Sequence, residues 1–171
     1  MKNLRIWSLL CLIWMGVLAG SAQDTGKEKI SLGDAMPAIT LSSEIYGKVT
    51  PADLKGKVVL VSLFATWCGP CKKSMQSMVP LKKNLSSKDI VYIYLTGPSS
   101  PENIWKSNLS KMTGVHYRLT DSQWKYLCTS YGVTGIPAYL IISHDGKLQG
   151  RYVGFPGVDV LQKDLIRAIE E

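Results

Sequence analysis

Cys68 and Cys71 stand two residues apart, and the stretches on either side of them constrain the fold more than any other part of the chain. Val58–Phe64 ahead of them is apolar and β-branched, the pattern of a strand buried on both faces. From Lys72 to Leu85 the apolar residues Met75, Met78, Val79 and Leu81 fall closer to helical than to strand spacing. The pair therefore belongs where a central strand passes into a helix N-terminus. Free N–H groups and the positive end of a helix favour a thiolate there, and Lys72 and Lys73 add positive charge. Such surroundings lower a cysteine pKa from about 8.5 to roughly 3.5–7.5. Cys68, at the helix start, is expected to be the attacking thiolate, and Cys71, one turn further in, the resolving thiol.

The motif Trp67-Cys68-Gly69-Pro70-Cys71-Lys72 resembles the active-site motif of thioredoxin. A second segment, Tyr131–Leu140, contains Gly135-Ile136-Pro137 and resembles the thioredoxin strand that begins with a cis-proline. Together they imply an α/β thioredoxin fold, a central mixed sheet flanked by helices, with the two motifs face to face. Gly69 and Pro70 restrict the turn so that both sulfurs stay within reach. The resemblance further implies that Trp67 covers one side of the sulfur pair. The Ile136 backbone, before a cis Pro137, would pair with an extended substrate segment, and Gly154 would border the site.

Residues 1–22 read as a secretory signal peptide: basic Lys2 and Arg5, an uncharged apolar run Ile6–Ala19, then small residues Gly20-Ser21-Ala22. The run is short for a membrane span, which takes about 20 residues. An uncleaved anchor facing the periplasm is the alternative. Residues 23–171 then form the thioredoxin-like domain. The formal charge of +7 includes Lys2 and Arg5, and the remaining lysines are spread along the chain. No arginine-rich or aromatic-interleaved stretch points to nucleic acid, and a solvated basic face favours acidic partners. The domain holds Cys68, Cys71 and Cys128, too few for a disulfide scaffold. In an exported protein one CxxC is better explained by redox chemistry. Cys128, in a helical pattern, is expected to be a buried small hydrophobe, with a third redox thiol as the alternative.

Ahead of the central strand, Gly33–Pro37 reads as a turn, Ile39–Leu41 as a short edge strand and Gly47–Thr50 as its return in an N-terminal hairpin. This layout is similar to the extracytoplasmic bacterial thioredoxin-like proteins of the TlpA/ResA type, over roughly Ser31 to Glu170. Ile90–Leu95 is a second core strand. Gly97–Glu102 is a turn into a helix from about Pro101 to Lys111, with serine as its cap. Thr120-Asp121-Ser122-Gln123 is a capping box for a helix ending near Tyr131, so the insert reads as two helices joined by Gly114–Leu119. Its Trp105, His116, Tyr117 and Trp124 either form a partner-recognition surface or pack on the sheet. Ala138–Ser143 and Leu148–Val153 make a hairpin about Asp145-Gly146. Val158–Glu170 closes the domain as an amphipathic helix.

These readings converge on an exported, monomeric thiol–disulfide oxidoreductase that acts on protein disulfides, as a reductant, and is recycled by a membrane thiol reductant. No cofactor or metal is expected. Zinc needs two more ligands, and His116 and His144 show no ligand spacing. Haem attachment needs a histidine where Lys72 stands. A copper or cytochrome-maturation chaperone, with both thiols as soft ligands, is the rival. Two positions depart from the resembled families: Ser62 stands where thioredoxins bury an acid, and Ser74 where ResA-like proteins carry a glutamate. Neither hydroxyl serves as a proton acceptor for Cys71 at neutral pH.

Overall fold

In the computed structural model, residues 29–37 and 39–171 are described, so the expected signal peptide at 1–22 lies outside the described residues. The strands are β1 (Leu41–Ser43), β2 (Gly47–Val49), β3 (Val58–Phe64), β4 (Ile90–Thr96), β5 (Val115–Arg118), β6 (Ala138–Ile142) and β7 (Leu148–Val153). The helices are α1 (Gly69–Asn84), α2 (Glu102–Asn108), α3 (Asp121–Ser130) and α4 (Val158–Glu170). Single 3-10 turns occupy Pro51–Leu54 and Leu109–Lys111.

Strand β3 is buried along its whole length because it is the middle of the sheet β5-β4-β3-β6-β7. It runs parallel to β4 and antiparallel to β6, which makes the sheet mixed. Its alternate side chains feed two cores. Val59, Val61 and Leu63 meet α3 and the β1–β2 hairpin through Leu127, Tyr131 and Leu41. Val58 and Leu60 meet Met78 and Leu81 of α1 and Leu161 and Leu165 of α4. Burying each leucine contributes roughly 1.5–3 kcal/mol. Pro80 sits inside α1 and removes one donor from its ladder without ending it.

The capping box of Thr120 and Gln123, the Ala138–Val153 hairpin and the closing helix stand where they are expected; the N-terminal hairpin forms too, but its first strand is Leu41–Ser43 rather than Ile39–Leu41. Three further details differ. Gly114–Leu119 is more than a helix connector, since Val115–Arg118 forms β5 and pairs in parallel with Ile93–Thr96. Val115–Arg118 does alternate, but four residues are the shortest run that signals a strand, and the segment reads equally well as a connector. The helix expected from Pro101 to Lys111 is α2 to Asn108, then a 3-10 turn. The serine expected to cap it does not, because Pro101 holds the cap position with no side-chain hydrogen bond. The aromatic residues of the insert pack inward. Trp105, His116 and Tyr117 are buried, and Trp124 is half-buried against the α3-side core.

Candidate active site

The chain leaves β3 at Phe64, turns through Ala65 and Thr66, and enters α1 at Cys68, its N-cap. That turn is pinned from the loop after β4. Thr66 N–H donates to Ser100 Oγ at 3.0 Å, Thr96 Oγ1 donates to the Phe64 carbonyl at 2.9 Å, and the two hydroxyls lie 2.6 Å apart. Arg118 of β5 holds the loop in turn, donating to the carbonyls of Ser100 and Pro98 at 3.0 and 3.2 Å. Sequence reasoning missed this latch. Its only signal was a threonine closing the strand and a serine four residues on, which also suits a helix cap.

Cys68 and Cys71 are joined as a disulfide with their Cα atoms 5.3 Å apart. Cys68 Sγ accepts the Cys71 backbone N–H at 3.2 Å, and the Lys72 N–H donates to the Cys68 carbonyl at 3.2 Å. The outer sulfur therefore faces the first unpaired N–H groups of α1, where negative charge is stabilised. Both cysteines pack with Phe64, Ala65, Tyr94, Trp105 and Leu109, and Ile136 lies against the same cluster. Cys71 is fully buried and Cys68 is 4 % exposed.

The Ile136–Pro137 bond is cis. Gly154 donates its N–H to the Pro137 carbonyl at 2.8 Å from a backbone at φ 92°, a conformation that favours glycine. The fold thus brings Ile136 against the cysteine cluster and Gly154 against Pro137, residues far apart in the chain. Gly69 and Pro70 are the first two residues of α1. Trp67 is 63 % exposed, and Val153, beside Gly154, is 50 % exposed and had no sequence signal beyond closing a strand.

Ser74 is buried one turn after Cys71. Its hydroxyl donates to the Cys71 carbonyl at 2.8 Å and accepts from Tyr139 Oη at 2.6 Å. Ser62 is buried in β3, in register with Tyr94 on one side and Tyr139 on the other. Beneath them His116 stacks on Tyr94, ring centroids 4.7 Å apart, with neither nitrogen in hydrogen-bonding geometry to any described residue. Burial pushes its pKa down to about 4 and keeps it neutral, aided by the Lys82 charge; the Met112 backbone opposes this only in part. Cys128 is a free, half-buried thiol, and burial raises its pKa. Among the described residues no group of three His, Cys, Asp or Glu side chains could hold a metal ion.

The profile of the family described as Redoxin matches residues 31–165. The thiol-disulfide oxidoreductase ResA of Bacillus subtilis (strain 168) is 30% identical over 146 residues, 85% of this chain and 80% of that protein. The thiol:disulfide interchange protein HelX of Rhodobacter capsulatus is 27% identical over 137 residues, 78% of this chain and 74% of that one. A solved thiol:disulfide interchange protein from Bacteroides sp. superposes with a TM-score of 0.68 at 22% identity, covering 83% of this chain and 92% of that one.

Proposed function

The chain belongs to the Redoxin family and is a thiol–disulfide oxidoreductase of thioredoxin-like fold, and from that premise we propose that Cys68 attacks, Cys71 resolves, and the exported protein reduces protein disulfides. The observation that carries the assignment is the position of Cys68 Sγ on the Cys71 N–H at the start of α1. In the dithiol form that N–H and the helix end favour the Cys68 thiolate. The thiolate attacks one sulfur of a substrate disulfide, forms a mixed disulfide and expels the other sulfur, which takes a proton from solvent. Cys71 then loses its proton and attacks Cys68 Sγ. The second substrate sulfur leaves, and two electrons have passed from the dithiol to the substrate. A membrane thiol reductant returns them.

Exposed Trp67 beside Cys68, Ile136 against the cysteine cluster, and Pro137 with Gly154 bonded to it offer the surface on which a polypeptide disulfide would rest, and Gly69 and Pro70 hold the two sulfurs in one turn. A soft-metal chaperone is not favoured. Export rests on the pattern of Lys2, Arg5 and the apolar run to Ala19, and the protein acts in the periplasm as a monomer without nucleic acid. Among the described residues no helix is long and apolar enough to cross a membrane.

The test is a pair of substitutions. Cys68→Ser abolishes disulfide reduction, whereas Cys71→Ser accumulates mixed disulfides with substrate. Trapping through Cys71 in the Cys68 variant overturns the order of attack. A reduction potential near about −270 mV supports a reductant, and one near about −120 mV an oxidant.

A further inference from the structure

One side of α1 is left uncovered by the other described residues. A cavity of about 700 Å³ lies there between α1, the outer face of β4 and the 3-10 turn at Leu109–Lys111. It falls within the range of small-molecule sites, about 300–1,000 Å³. Lys72, Met75, Val79 and Lys82 line it at helical spacing, so it follows a single stripe of the helix. From Lys72 to Lys83 that stripe is about 16 Å long. Tyr92 and Tyr94 form the floor and Met112 part of the opposite wall. Val79, midway along, is 61 % exposed.

The groove is both apolar and basic. Phe64, Met75, Val79 and Met112 supply its apolar surface, and Lys72, Lys82, Lys83, Lys88 and Lys111 line it as well. No Asp or Glu lines it, and none of its lysines makes an ion pair among the described residues. Lys82 and Lys83 complement the C-terminal end of α1, but Lys88 and Lys111 lie outside that helix. Lys82 is half-buried, its Nζ 4.6 and 4.9 Å from the ring centroids of Tyr94 and Tyr92. It donates to the Thr113 carbonyl at 2.6 Å and hydroxyl at 3.1 Å, contacts that bring no counter-charge. Burial lowers its pKa to about 8, which is the cost of holding that charge without an anion. The Tyr92 hydroxyl, also on the lining, is buried without a partner among the described residues.

We propose that this groove binds a single-chain amphipathic anion, an unbranched alkyl chain ended by a carboxylate, with the carboxylate on Lys82 and the chain over Val79 and Met75. The carboxylate supplies the counter-charge the lysines lack, and the chain covers the exposed apolar stripe. A polypeptide fits less well. β4 beneath the groove is an inner strand, paired with β3 and β5, so it offers no sheet edge for an extended peptide to join. The site does not depend on the redox chemistry of the cysteines.

The test is calorimetric titration of the full chain with tetradecanoate below its micellar concentration, with tetradecanol and an acidic peptide as comparisons. Tetradecanoate is expected to bind one to one, and to bind roughly tenfold more weakly to Lys82→Met, the loss of one charged hydrogen bond. Tetradecanol should bind the wild type with the same weakness. Lys125→Met, on α3 across the sheet, leaves affinity unchanged. Val79→Glu, which places a like charge in the groove, weakens binding and stands in should Lys82→Met fail to fold. Absence of binding, equal affinity for the alcohol, or equal loss in Lys125→Met would overturn the proposal. Tighter binding of the acidic peptide would assign the groove to a polypeptide instead.

Discussion

Ser74 and Tyr139 decide what Cys71 has around it. The Ser74 hydroxyl is committed to the Cys71 carbonyl and to Tyr139, so it orients the backbone of α1 and has no spare role as a base. Ser62 is walled by its register partners Tyr94 and Tyr139. Resolution of the mixed disulfide is therefore expected to be slow near pH 7 and to quicken as pH rises. Ser62→Asp places an acceptor there and should speed the step near neutrality, at a cost in stability from burying a charge. Stopped-flow decay of the mixed disulfide across pH, beside urea unfolding, measures both; fast, pH-independent decay in the wild type would refute the idea. His116 supplies a second pH dependence. Its folded pKa of about 4 lies below the usual 6.5. Between those values the unfolded chain binds the proton and the folded chain does not, so stability is full above about pH 6.5 and falls with acidification. The loss reaches about 3 kcal/mol by pH 4. His116→Phe should flatten the urea midpoint across that window, and an unchanged slope would show that other groups carry it.

At the scale of elements, the active-site turn depends on the β4–α2 loop as much as on the strand and helix it joins. Ser100 is fully buried and accepts the Thr66 N–H. Ser100→Ala leaves that N–H and the Thr96 hydroxyl short of a partner in a dry setting. The expected cost is about 1–3 kcal/mol, read by thermal or denaturant unfolding. Because the turn leads directly into Trp67 and Cys68, disulfide reduction should slow as well. Full activity with the same loss of stability would mean the latch serves only the fold. The hairpin of β6 and β7 was readable from its Asp145-Gly146 turn, and α3 from its capping box, since both signals are local. Strand β5 was not, because its pairing with Ile93–Thr96 is set by a neighbour distant in the chain.

Over the whole molecule, the sheet keeps its two cores separate: one beneath α3 and the hairpin, the other beneath α1 and α4. Leu165 of α4 is fully buried in the second core, away from the cluster around the cysteines. Leu165→Ala should cost about 2–5 kcal/mol through lost burial and the cavity left behind. The melting temperature falls accordingly, while the rate of disulfide reduction at low temperature stays near wild type. A matching fall in activity well below the melting temperature would show that α4 also supports the site.

The sequence alone determined the strand–CxxC–helix order and the central place of β3, because both rest on short-range periodicity and on residues with redox chemistry; the cis bond before Pro137 was expected only from the thioredoxin resemblance. The inward packing of Trp105, His116 and Tyr117 was one of two open readings, since an aromatic side chain suits a core and a binding surface equally. Only the tertiary structure decided that Ser100 latches the active-site turn, that Tyr139 occupies the Ser74 hydroxyl, and that among the described residues one side of α1 stays bare beside lysines without ion pairs. Those outcomes depend on which groups from distant parts of the chain meet within hydrogen-bonding distance. A hydroxyl or an ammonium group in a linear sequence carries no mark of the partner it will find.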